Sequence, residues 1–123
     1  MIVTNLLTLQ NQLKINHWQA KGKGSYAEHK ALDKTHESFL DLIDSFVEVL
    51  MGKYGRIENK DGFNIELVNR SELSSAELAD KYIAYLTNEL PKMLDVDKDT
   101  DLLNIRDEML GKLNNLKYLL TLE

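Results

Sequence analysis

Apolar residues recur every three or four positions along most of this chain, and period-two alternation is nearly absent. Leu6, Leu9, Leu13, His17 and Ala20 fall on one stripe, widened by Leu7, Ile15 and Trp18, which predicts a helix over residues 3–20. "KGKG" (21–24) stops it, because glycine readily adopts the left-handed conformation of a helix end. In "SYAE", Ser25 and Glu28 have the spacing of a capping box and open a second predicted helix over about residues 26–53, ending at Gly52 and Gly55. A second box, Ser74 to Glu77, opens a third helix through Leu78, Tyr82, Tyr85, Leu86 and Leu90. Pro91 is expected to kink or end it, since proline lacks a donor and clashes with the preceding turn. After the acidic corner "DVDKDTD", residues 100–122 form a fourth helix striped by Leu102/Leu103, Ile105/Arg106, Met109/Leu110, Leu113, Leu116 and Leu120. The connector "GRIENKDGFNIELVNRSEL" is long for a helix–helix link. It is expected to carry short structure of its own or to fold over an interface, with "NIELV" as a segment that could pair there. Four amphipathic helices predict an all-α fold, a four-helix bundle, with residues 1–123 as one domain.

Composition narrows the function classes. At 123 residues, with 43% apolar and 28% charged residues, the chain can bury a core of its own. It has no cysteine, which excludes disulfides, thiolate metal sites and cysteine nucleophiles. The first residues read as an amphipathic helix, not a signal peptide or membrane span, so a cytoplasmic location is expected. A net charge of −5 without a basic tail counts against DNA binding, which depends on neutralising phosphates.

The chemistry concentrates on the second helix. At about 100° per residue, His29, Asp33, Asp44 and Glu48 lie within roughly a 100° arc of one face. Lengthwise they form two pairs, His29/Asp33 and Asp44/Glu48, about 16 Å apart at ~1.5 Å per residue. Metal–ligand bonds are about 2 Å long, so one ion cannot reach both pairs within one chain. An antiparallel two-fold copy removes the difficulty. With second helices crossing near Ser38 and Phe39, His29 stands level with the partner subunit's Glu48, and Asp33 with the partner subunit's Asp44. His17, across the glycine corner, can join its own His29 and Asp33. Imidazole with carboxylate suits iron, manganese or zinc. The same residues also read as a charged, solvated helix face with favourable pairs between neighbours.

Resemblance adds weight to the metal. "HW", then "HKALD" twelve residues on, then "DSFVE", resembles the ferroxidase signature of the Dps-type miniferritins of the ferritin-like superfamily. His17, His29, Asp33, Asp44 and Glu48 match its five ligand positions in type and spacing, and "DKDTDLLNIRDEMLGKLNNLKYLLTLE" is similar to the family's last helix. The resemblance covers about half the chain. It implies a ferritin-like four-helix subunit with a short helix or loop in the middle connector, paired about two-fold axes and assembled into a dodecameric shell. Iron(II) would be oxidised at the two-fold sites by hydrogen peroxide or oxygen and stored within as ferric mineral, protecting against oxidative damage. Glu48 would bridge two irons, and zinc or manganese could substitute. This chain departs from the family in being short, in lacking a lysine-rich tail, in having Val49 after Glu48, and in having no tryptophan among Leu116, Lys117 and Tyr118.

Other residues carry weaker signals. Trp18 reads as core or interface packing, and the resemblance places it beside the iron site. His36 reads as surface or as support for that site, because no histidine lies beyond it to complete an intrachain di-iron pattern. Asp95, Asp97, Asp99 and Asp101 most simply charge the start of the last helix, where the dipole favours anions. The resemblance makes Asp97 and Asp101 pore candidates. Two further readings compete with a ferroxidase: a bundle dimer that holds metal without turnover, and an interaction module with a solvated polar face.

Overall fold

The computed structural model describes residues 1–122, and the regular elements among them are all helices. Its elements are α1 (Ile2–Gln19), α2 (Ser25–Tyr54), α3 (Ser75–Ala84) and α4 (Thr100–Leu119). No helix among the described residues is long and apolar enough to cross a membrane.

Contacts at the helix ends fix the directions. His17 in the last turn of α1 stacks on His29 near the start of α2, so these two run antiparallel. Tyr54 and Lys53 at the end of α2 bond Asp99 and Asp101 at the start of α4, so α4 returns along α2. Asn16 of α1 bonds the Leu73 carbonyl and the Ser75 hydroxyl, which places the start of α3 at the end of α1. Hence α2 and α3 point the same way, and the connector between them must travel back along the bundle. α1 packs on α2 and α3, and α4 packs on α2 and α3. This is a four-helix bundle with one long crossover.

Leu6, Leu9 and Leu13 of α1, Leu32, Phe39 and Phe46 of α2, Leu78 of α3, and Leu102, Met109, Leu113 and Leu116 of α4 are fully buried between the helices. Leu86 and Leu90, just beyond α3, join them. The stripes read from the sequence are the faces that pack.

Three local expectations need correction. Ser25 does not cap α2: Gly24, at φ +78°, holds the cap position, and Ser25 is already helical. Glu28 turns instead to Arg70, because a two-pronged charged pair outweighs one cap bond. By contrast, Ser74 and Glu77 form a full capping box at α3. The third helix leaves α geometry at Ala84, earlier than Leu90, passing through a π turn (Tyr85–Glu89) and a 3-10 turn (Leu90–Met93) that begins beside Pro91. Arg106 of α4 donates to the Leu86 carbonyl within that π turn. The fourth helix ends at Leu119, three residues short of Leu122. The connector carries turns at residues 60–61 and 70–72 and no helix or strand.

That connector is held by a buried polar network. Gln12 both donates to the Val68 carbonyl (2.8 Å) and accepts from the Val68 amide (3.0 Å). Gln12 also donates to Asn16, and Asn16 leads to Ser75, whose hydroxyl donates to Glu28 at 2.6 Å. Buried amides are retained only when so satisfied.

Candidate metal centre at the glycine corner

His17 and His29 face each other across the corner with ring centroids 3.8 Å apart and planes 24° from parallel. His17 is buried, whereas His29 is largely exposed. Each ring is tied to the other residue's backbone: His17 Nδ1 lies 2.8 Å from the His29 carbonyl, and His29 Nδ1 lies 3.1 Å from the His17 carbonyl. A carbonyl only accepts, so both Nδ1 atoms must carry the proton. In the neutral rings Nε2 then keeps its lone pair. Fixing one imidazole nitrogen by a backbone bond so that the other can ligate is the usual arrangement around bound metals. The His29 bond also satisfies a carbonyl in the last turn of α1, where helices leave acceptors unpaired.

Asp33, one turn beyond His29 on α2, is half-exposed, and its Oδ1 stands 4.0 Å from His17 Nε2. The Lys14 ammonium lies 3.7 Å from the same oxygen and balances its charge. His36 is half-buried nearby; burial and then the Lys14 charge lower its pKa, outweighing Asp33. It therefore favours the neutral form.

The residues beside both histidines belong to the polar network. Asn16 precedes His17 and is fully buried, and Glu28 precedes His29. Arg70 clamps Glu28 at 2.8 and 2.6 Å. Sequence reasoning missed this support, which joins residues more than forty positions apart. Its only trace was Gln12 and Asn16, polar residues set against the apolar stripe of α1. Burial by itself would raise the Glu28 carboxyl, but hydrogen bonds from Arg70 and Ser75, with the Arg70 charge, hold it below the usual range. At the other end of the bundle the Tyr54 hydroxyl, the Asp95 amide and Lys53 hold Asp99 below its usual range. Lys53 does the same for Asp101. All three carboxyls are depressed in the folded chain. Their contribution is therefore present above the unfolded carboxylate range and is lost as pH falls through the lower folded values. The thermal midpoint should be flat near neutrality and fall as pH drops below about 4. Glu28→Gln should flatten part of that acid-side fall, which a pH series of melting curves will read.

Asp44 and Glu48 are exposed on α2 and face away from the core. The chain does not bring them to His17, His29 and Asp33, as their helical separation requires. Among the described residues of one chain, no three His, Asp or Glu side chains gather closely enough to hold an ion. Beside Asp44 lies a shallow, largely apolar hollow of about 400 Å³ formed by Val3, Leu7, Gln10, Leu40, Ile43, Val47 and Ile57. Leu40 is 42% exposed, so this face leaves a large apolar side chain in solvent.

Trp18 is also exposed, at 67%, with Lys14 5.8 Å from its ring, which corrects any role for it in the core. Asp101 is paired with Lys53 at 2.9 Å. Asp99 does not cap α4 with its side chain; its fully buried carboxylate accepts from Tyr54 at 2.6 and 2.7 Å and locks α2 to α4. Asp97 is exposed, its amide donating to Asp95.

The molecule is thus an all-α bundle with a paired-histidine corner. Residues 17–120 match the family of unknown function DUF5856, and the chain belongs to that family. The matched segment begins at His17 and contains all five candidate ligands. No curated protein and no solved structure matches the chain.

Proposed function

We propose that this protein is a miniferritin-like ferroxidase: two antiparallel copies build a pair of sites that oxidise iron(II), with peroxide as the preferred oxidant. The observation that carries the reading is the His17/His29 pair, whose mutual backbone bonds leave both Nε2 atoms to ligate, with Asp33 beside them. The single long crossover supports it, because ferritin-like bundles use one such connection. So does the apolar hollow beside Asp44 with its exposed Leu40, which a second copy would cover.

In this reading His17, His29 and Asp33 of one chain meet the partner subunit's Asp44 and the partner subunit's Glu48. Iron is the substrate. Two iron(II) ions give one electron each to hydrogen peroxide, whose O–O bond breaks. With two protons the products are two iron(III) ions and two waters. Paired electron delivery avoids releasing hydroxyl radical. The carboxylates neutralise the added charge and favour the ferric product, while the imidazoles bind the ferrous substrate through Nε2. Lys14 gives up its place beside Asp33 when iron arrives. Assembly beyond the dimer into a dodecameric shell belongs to the same proposal, with Asp97 and Asp101 near its pores and Trp18 and His36 flanking the site.

The test is to add iron(II) and then peroxide to the purified chain and follow ferric absorbance. Oxidation well above the protein-free rate is expected. Metal retained on gel filtration without accelerated oxidation would replace the ferroxidase with a passive metal-binding dimer.

A further inference from the structure

The crossover contains a short segment, residues 63–67, without helix, turn or strand, whose backbone is unused. Gly62 closes a turn onto Asn59, and Val68 is taken at both its amide and its carbonyl by Gln12. Between them, among the described residues, no backbone amide or carbonyl of residues 63–67 has a hydrogen-bond partner within the chain. Phe63, Ile65 and Leu67 are exposed (41%, 37% and 40%), and in a strand their two-residue spacing puts them on one side. An open strand edge with exposed apolar residues is a template for pairing with another strand.

We infer that residues 63–67 pair with the same segment of a second copy, as a two-stranded antiparallel ribbon centred on Ile65. The segment is self-complementary about that residue. Phe63 falls opposite Leu67, an apolar pair; Asn64 falls opposite Glu66, an amide donor against a carboxylate; and Ile65 meets its own copy. No like charges are opposed within the five residues. The free stretch is bounded on both sides by engaged residues, so a register centred on Ile65 is the one that pairs all five of them.

Position along the bundle supports the same partner. Val68 is fixed beside Gln12, and a strand at ~3.3 Å per residue would put Ile65 about 10 Å back, near the level of Asn5 or Leu6 of α1. From the stacked His17/His29 pair, ten residues along each helix bring Phe39 level with Leu7. The ribbon centre and the midpoint of the ligand spacing on α2 therefore stand within a few Å of one level. One two-fold axis can serve both. The inference rests on the antiparallel pairing proposed above.

A cysteine at the ribbon centre tests it, since the chain has no other. Opposed Cα atoms in an antiparallel pair are about 4.5–5.5 Å apart, within disulfide reach. Ile65→Cys should become mostly covalent dimer under mild oxidation at low protein concentration. Ser71→Cys, on the same connector but six residues off the axis, should stay mostly monomeric on a non-reducing gel. If Ile65→Cys stays reduced while light scattering still gives an oligomer, the ribbon is overturned and the ferroxidase dimer survives. If light scattering gives the 14.1 kDa chain alone, both fall.

Discussion

Glu48→Ala is expected to abolish fast iron(II) oxidation while leaving helical circular dichroism unchanged. Glu48 is exposed on α2 and has no hydrogen bond or ion pair among the described residues, so its removal should cost the fold little. In the proposed site it is a direct ligand, reaching the histidines of the other chain. Losing even a supporting residue around a metal costs 10–100-fold, so loss of a direct ligand should slow the reaction by ~100-fold or more. His17→Ala would be a poorer test. That ring is buried and tied to the His29 carbonyl, so lost activity could reflect a loosened corner. Stopped-flow ferric absorbance gives the answer, and wild-type rates in Glu48→Ala would remove Glu48 from the chemistry.

The second large effect is on assembly. Leu40 lies one and a half residues from the midpoint of the ligand spacing, so two copies would stand about 4.5 Å apart along the axis. Leu40→Asp exchanges apolar burial worth ~1.5–3 kcal/mol per side chain for two facing carboxylates. Like charges forced together at an interface cost several kcal/mol more. At ~1.4 kcal/mol per tenfold, the pair should weaken by at least ~100-fold. The expected result is a folded monomer by light scattering with both sites lost. An intact oligomer would move the interface off this face.

The periodic stripes were legible because burial acts on residues three and four positions apart, and Leu6, Leu9 and Leu13 obey that rule locally. The common face of His29, Asp33, Asp44 and Glu48 was legible for the same reason. What could not be read was long-range. "SYAE" has the spacing of a cap, yet Glu28 serves Arg70, forty-two residues away, because a charged two-pronged pair wins over a local bond. Asp99 looked like one of four carboxylates at a helix start, but Tyr54 and Lys53 draw it inward. Trp18 was open to core or interface packing because it widens the apolar face of α1; its exposure in the single chain removes the core reading alone. The mutual backbone bonds of His17 and His29 had no local pattern either, since they depend on how tightly the glycine corner folds.

In the proposed dimer each site takes residues from two chains, and mixing two inactive variants puts that sharing to the test. Asp33→Ala spoils the histidine half of a site and Glu48→Ala the distal half. In a mixed pair, one site carries both defects and the other carries none. With random pairing, half the dimers are mixed and one of their two sites is intact, so co-expression should restore about a quarter of the wild-type rate. A mixture as inactive as either variant alone would place all five residues at separate or single-chain sites and contradict the account.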